Sequence, residues 1–257
     1  MKTKLALLLA FLVSHFFAAA SAQEVVIPDA ALETAIWQSL GRSGGILTVQ
    51  DMLSLTILDA SSQGVKSLEG LGAAQNLTTL NLDNNQLTSL TLPAGLSSLA
   101  GLNIEGNQLT NLTLPEDLTN LTFLALGDNQ LRRLTLPAGL TNLTRLSIFR
   151  NPLQSIILPH TLAVGTLADT VAYLVTQGVS VSIYPLTLSL VGGAWTATGT
   201  FECLLTGPPG TYRIQVTPDF STWADIGPVV NETGSVQVAD PSVNSRTRGF
   251  YRAVRSN

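Results

Sequence analysis

Cysteine is nearly absent from this 257-residue chain. Cys203 is the only one, so no intrachain disulfide can form. Histidine is almost as scarce, with His15 and His160 the whole supply. Nucleophilic catalysis needs a nucleophile, a base and an orienting group, and a metal site needs several His, Cys or acidic ligands at set spacings. Neither set can be assembled here. No Gly-rich phosphate loop appears either. The chain is therefore read as non-enzymatic, with no catalytic residue, no metal ligand and no cofactor. Charged residues make up 12% of it and the formal net charge is −4, so the basic footprint of a nucleic-acid binder is missing. The one locally basic stretch, Arg246, Arg248, Arg252 and Arg255, reads as a solvated strand edge. Apolar runs are short: the longest, residues 5–13, falls below the roughly 20 residues that a membrane-spanning helix needs.

That run follows Lys2 and Lys4 and precedes Ala20-Ser21-Ala22, which is the pattern of a signal peptide over residues 1–22, cleaved after Ala22. Loss of the two lysines takes the formal charge from −4 to −6. The expected location is secreted, periplasmic or in the cell envelope, with no integral membrane segment after cleavage.

Leucine is what the chain has, and it has it at a period. Four stretches share one register: Leu77-x-x-Leu80-x-Leu82-x-x-Asn85-x-Leu87, Leu99-x-x-Leu102-x-Ile104-x-x-Asn107-x-Leu109, Leu121-x-x-Leu124-x-Leu126-x-x-Asn129-x-Leu131 and Leu143-x-x-Leu146-x-Ile148-x-x-Asn151-x-Leu153. An earlier copy, from Leu55 to Val65, has Gln63 in place of the asparagine. The pattern resembles the leucine-rich repeat. It implies an α/β fold, a right-handed solenoid with a parallel concave sheet. Leu80 and Leu82 then point inward, and the ladder Asn85, Asn107, Asn129 and Asn151 turns inside to satisfy backbone groups. The second half of each unit carries Leu-Pro, as at Leu92-Pro93 and Leu136-Pro137, which argues against a long convex helix.

The flanks read as caps. Over residues 23–54, Asp29 is placed to cap a helix with Leu32, Ala35, Ile36 and Leu40 on one face, and Thr48 with Asp51 forms a capping box for a second. The repeats run over 55–165. A helix capped by Thr166 and a strand through Val179, Val181 and Ile183 follow over 166–185. Residues 186–257 alternate and turn at Gly207-Pro208-Pro209-Gly210, predicting a small all-β, sandwich-like C-terminal domain. Trp195, Phe201, Cys203 and Leu205 are expected on one face of one strand. Cys203 reads as a core residue and His160 as a surface residue. The sequons at Asn76, Asn111, Asn120, Asn142 and Asn231 mostly repeat the Asn-Leu-Thr phrase of the unit.

Residues 53–158 resemble bacterial leucine-rich repeat proteins. The lead-in, with Ile27-Pro28-Asp29, Leu40-Gly41, Thr48 and Asp51-Met52, resembles the N-terminal cap of the secreted, internalin-like group. The tail, with Gly207 to Arg213, Trp223, Asp240-Pro241 and Phe250-Tyr251-Arg252, is similar to short C-terminal β-modules of exported bacterial proteins. Repeats of this kind bind along the concave face. Alternation lists its outward columns: Thr79, Gly101, Phe123, Arg145; Asn81, Asn103, Ala125, Ser147; Asp83, Glu105, Gly127, Phe149. Asn84, Gly106, Asp128 and Arg150 come next. One half is polar and acidic through Asn81, Asp83, Asn103 and Glu105. The other gathers Phe123, Arg145, Phe149 and Arg150, a composition typical of interface hot spots. These eight residues are the candidate ligand-binding set, and a protein is the expected ligand. Two alternatives stay open for the phenylalanines: packing beneath the C-terminal module, or scattered surface apolars. Two alternatives stay open for function: carbohydrate binding by the β-module through aromatics such as Trp223 or Tyr251, and a structural spacer of the envelope.

Overall fold

The computed structural model describes residues 23–240 and 249–256; the expected signal peptide, Arg246 and Arg248 lie outside them. Helix α1 (Ala30–Ser39) begins where Asp29 accepts the N–H groups of Ala31 and Leu32, both at 3.0 Å. Gly41 ends it at φ 68°, a conformation glycine adopts without strain. Leu32, Ala35, Ile36 and Trp37 are buried, whereas Leu40 is half-buried at the cap. Helix α2 (Val49–Ser54) opens with the reciprocal box. The Asp51 N–H donates to Thr48 Oγ1 at 3.2 Å and the Thr48 N–H donates to Asp51 Oδ2 at 2.9 Å.

Short strands follow: β1 (Ile57–Asp59), β2 (Thr79–Asn81), β3 (Ser89–Thr91), β4 (Gly101–Asn103), β5 (Asn111–Thr113), β6 (Phe123–Ala125), β7 (Arg133–Thr135), β8 (Arg145–Ser147) and β9 (Ser155–Pro159). Helices α3 (His160–Ala163) and α4 (Ala168–Thr176) come next, then β10 (Ser180–Tyr184). The C-terminal module holds β11 (Ser189–Trp195), β12 (Phe201–Thr206), β13 (Gly210–Thr217), β14 (Ala224–Asn231), β15 (Ser235–Asp240) and β16 (Phe250–Arg255).

The chain divides into two compact units. One runs to Arg132 and takes in Gly139–Pro152; the other takes Arg133–Ala138 and the chain from Leu153. The first unit holds a five-stranded sheet, β1-β2-β4-β6-β8, parallel throughout, and a parallel pair, β3-β5. Its core is a leucine stack. Leu58, Leu80, Leu102 and Leu124 have no exposed surface, nor do Leu82, Ile104 and Leu126 one register over. Each such side chain contributes about 2 kcal/mol by leaving water.

In the second unit β7, β9 and β10 form a parallel sheet. Tyr184, which the sequence reading did not single out, is fully buried there and donates its hydroxyl to the Leu136 carbonyl at 2.7 Å. Leu167, not Thr166, stands at the N-cap of α4, and no side chain caps that helix. Leu167 is buried, so packing rather than capping sets its position. The module consists of two three-stranded antiparallel sheets, β11-β12-β15 and β14-β13-β16. Cys203, Leu205, Tyr212, Ile214 and Val238 form its core. The run from Trp195 to Leu205 is not one strand. The Thr196 N–H donates to the Thr200 carbonyl at 2.8 Å and folds it into a hairpin with Trp195 opposite Phe201.

Candidate binding surface

The ladder that holds the five-stranded sheet is built from amides. In Asn107, Oδ1 accepts the Leu87 N–H at 3.0 Å while Nδ2 donates to the carbonyls of Leu82, Ile104 and Glu105 at 2.9, 3.2 and 3.2 Å. Asn85, Asn129 and Asn151 repeat the arrangement. One side chain thus serves its own turn and the preceding one, which only an amide with both donor and acceptor can do. The Asn-Leu-Thr phrase makes a second ladder. Asn76, Asn120 and Asn142 donate to carbonyls 23 residues earlier, those of Leu53, Ser97 and Thr119, at 2.7, 2.9 and 2.7 Å. The hydroxyls of Thr78, Thr122 and Thr144 do the same across 22 residues. These sequons have a structural role.

On this scaffold the outward columns align across the strands. Thr79, Gly101, Phe123 and Arg145 are register partners, as are Asn81, Asn103, Ala125 and Ser147, although Ala125, expected to be exposed, is buried. At the β1 end the face is polar, and part of it is already engaged. Asn81 donates to Asp59 Oδ1 at 3.1 Å and accepts the Asp83 N–H at 3.2 Å. Asn103 accepts the Glu105 N–H at 3.1 Å in the same way. Asp83 and Glu105 are half-buried. Asp59 joins this acidic group, and the sequence reading missed it. Counting 22 residues back from Asn81 into the irregular first repeat would have found it. The hydroxyl and N–H of Ser61, together with the Asn81 amide, hold its carboxyl below the ordinary carboxylate range.

At the β8 end the face is aromatic and basic. Phe123 is 37% exposed and Phe149 48% exposed. The Phe149 ring lies directly on Gly127: a Cβ there would sit 2.6 Å from Phe149 Cε1. Arg150 flanks the same ring, its guanidinium carbon 5.9 Å from the centroid, and reaches Asp128 at 3.3 Å. Arg150 takes φ 52°, at the position where the earlier repeats have Ser62, Asn84, Gly106 and Asp128, also left-handed. Asn, Gly and Asp adopt that region readily, whereas an arginine does so at a cost. Arg145 is exposed, and its side chain makes no ion pair among the described residues.

In the module, Tyr251 is half-buried: it stacks on Phe201 with centroids 4.7 Å apart and donates to Asp240 at 2.9 Å. Trp223 is half-buried as well, so neither is the exposed aromatic expected from the sequence. Cys203 is buried, which pushes its thiol pKa up. His160 is exposed at the start of α3. Among the described residues no three or more His, Cys, Asp or Glu side chains are gathered as a metal site, and no helix is long and apolar enough to cross a membrane.

No protein-family model matches the chain. Among solved structures it is similar to the functional domain of InlJ from Listeria monocytogenes, at 26% identity and a TM-score of 0.47 over 53% of this chain. It is also similar to the internalins InlF and InlC2 of that organism, at 21% and 25% identity, each with a TM-score of 0.40 over 64% of this chain. The chain spans 31% of the InlJ domain, 58% of InlF and 81% of InlC2. Period, parallel register and an inward ladder of asparagines together make the repeated half of this chain a leucine-rich repeat solenoid, similar in kind to those of the internalins.

Proposed function

We propose that this is an exported, non-enzymatic protein that docks a protein ligand on the outward face of the five-stranded sheet. Phe123, Arg145, Phe149 and Arg150 anchor the ligand. Asp59, Asp83 and Glu105, with Asn81 and Asn103, offer the opposite charge at the other end and fix its orientation. The observation that carries this reading is the seating of Phe149. Gly127 beneath it and Arg150 beside it hold a half-exposed ring in place before any partner arrives, so little side-chain entropy is lost on binding. Aromatic and arginine side chains in this arrangement dominate interface energetics.

The test is affinity capture from envelope and culture extracts. The wild-type bait runs beside a Phe123→Ser/Phe149→Ser double variant and a Gly127→Ala variant, each matched to wild type by circular dichroism. Gly127→Ala keeps every anchor and only displaces the ring. A protein retained by wild type and lost by at least tenfold from both variants is the expected result. Equal retention by all three baits, or a wild type that retains no protein, sinks the proposal.

A further inference from the structure

The outer face of sheet β14-β13-β16 carries a second cluster of rings, and one arginine runs through it. The guanidinium of Arg252 lies over the Trp223 ring at 4.0 Å from the centroid. Its Nε donates to Gln215 Oε1 at 2.8 Å. Stack and hydrogen bond together fix the plane of the guanidinium, leaving the Nη1 and Nη2 edge as the part with donors to give. No carboxylate lies within 4.0 Å of it among the described residues; the neighbouring Arg213, by contrast, is paired with Asp225 at 3.2 Å. Among the described residues Arg252 is thus an oriented cation with no carboxylate beside it.

Beside it stands a ring held out of the core. Phe220 is 61% exposed and takes φ 64°, a left-handed backbone that is a true outlier for a bulky residue. The loop enforces it. Thr217 Oγ1 accepts the N–H of Phe220 at 3.0 Å, and Asp219 Oδ1 accepts both the N–H and the hydroxyl of Ser221 at 2.9 and 2.7 Å. Phe220 packs on Phe250, centroids 4.1 Å apart, and meets Trp223 edge-on at 6.2 Å. Phe250 is itself 40% exposed. Strained backbone that keeps a large apolar ring in water is characteristic of ligand clamps.

We propose that Phe220, Phe250, Trp223 and Arg252 form a binding site for an acidic saccharide, a chain of uronic acid units. The exposed rings of Phe220 and Phe250 offer flat faces to the C–H surface of a pyranose, and Trp223 backs Arg252. The Arg252 edge takes the carboxylate in a forked hydrogen bond, supplying the missing counter-charge. Gln215 positions Arg252 and does not touch the sugar. This site is on the C-terminal module and is independent of the protein-docking face proposed above.

Binding of the full chain would be measured by calorimetry and affinity electrophoresis against polygalacturonate, polymannuronate and polyguluronate. Each polymer is paired with its carboxyl-reduced form, and poly-glutamate serves as a non-sugar polyanion. The expected result is binding to at least one uronate polymer. Carboxyl reduction weakens it at least tenfold and Arg252→Ala does the same. Arg252→Lys fails to restore it, because an ammonium cannot make the fork. Phe220→Gly separates binding from folding: it removes the ring and relieves the positive φ, so the melting temperature holds or rises while affinity falls at least tenfold. Failure to bind any of the three uronates, equal binding of reduced polymers or of poly-glutamate, or full affinity in Phe220→Gly overturns the proposal.

Discussion

The side chain of Asn107 shows how much one residue can hold in a solenoid. It is buried, 6% exposed, and one acceptor and two donors serve groups in two successive turns. Asn107→Ala removes all of these and leaves the Leu87 N–H shut away from water without an acceptor, while the Leu82 carbonyl keeps the bond from Asn85 Nδ2 at 2.9 Å. A loss of about 3 kcal/mol is expected, because a stranded buried group costs about 1–3 kcal/mol and the bonds to the Leu82 and Ile104 carbonyls are lost besides. Asn151 makes the same bonds, but it is half-buried, so water replaces its amide and Asn151→Ala costs about 1 kcal/mol. Urea unfolding of the two variants decides the point, and equal losses would refute burial as the source of the ladder's strength. This part of the architecture was legible in the sequence, because period, leucine and asparagine all recur in one register. Phe149 was only half legible. Alternation gave its outward direction, but its seat on Gly127 depends on a glycine one repeat earlier, with no periodic signal to mark it.

Capping chemistry was readable for the first helix and not for the last, and the contrast is physical. Asp29 precedes α1 as the sequence indicates, yet its second oxygen does something no local pattern shows. Oδ2 accepts the N–H groups of Lys66 and Ser67 at 2.7 and 2.9 Å, tying the cap to the first repeat. The start of α4 is fixed instead by burial of Leu167, which capping rules do not see. Tyr251 was misjudged for a related reason: Phe250, Arg252 and Val254 take the outer face of their strand, so Tyr251 and Ala253 turn inward. At Asp29, burial opposes ionisation, but the N–H groups of Leu32, Lys66, Ser67 and Ala31 outweigh it and hold the carboxyl below its ordinary value. A lowered folded-state pKa stabilises above the unfolded value, about 4, and that contribution is lost as pH falls through the folded one. Asp29→Asn keeps a capping oxygen for α1 but turns an amide donor toward two N–H groups, so a loss of about 1–2 kcal/mol is expected at pH 7. Denaturant titrations from pH 7 to pH 2.5 should show a gap between wild type and variant that is constant above pH 5 and shrinks below about pH 4. A gap that persists unchanged to pH 2.5 would mean the carboxylate charge is not what ties cap to repeat.

At the scale of the molecule, the repeats behave as interchangeable turns of one ladder, each held chiefly by its neighbours. The bonds across the sheet repeat at fixed sequence offsets: the Leu82 N–H donates to the Asn103 carbonyl at 2.7 Å, the Ile104 N–H to that of Ala125 at 2.9 Å, and the Leu126 N–H to that of Ser147 at 2.8 Å. Removing residues 99–120 therefore joins Ser98 to Leu121 in the register that Ser98 now has with Leu99. Asn129 would then donate to the Leu82 carbonyl in place of that of Ile104, which it reaches at 2.9 Å. Only particular contacts are lost, such as those of the turn at Glu116 and Asp117. There the carboxylates accept the N–H groups of Gly139 and Gly95 at 3.2 and 3.0 Å. The shortened chain should fold cooperatively, with the same far-UV dichroism per residue and a melting temperature lower by several degrees, since a shorter stack buries fewer interfaces. Loss of the cooperative transition would show that the repeats are not equivalent and that the Glu116–Asp117 turn is indispensable. The deletion also takes Asn103 and Glu105 out of the acidic end and brings what remains of it, Asp59, Asn81 and Asp83, one strand spacing, about 4.8 Å, closer to Phe123 and Arg145. A ligand oriented by both ends should then bind at least tenfold more weakly than to wild type, while one held by the aromatic and basic end alone should bind equally well.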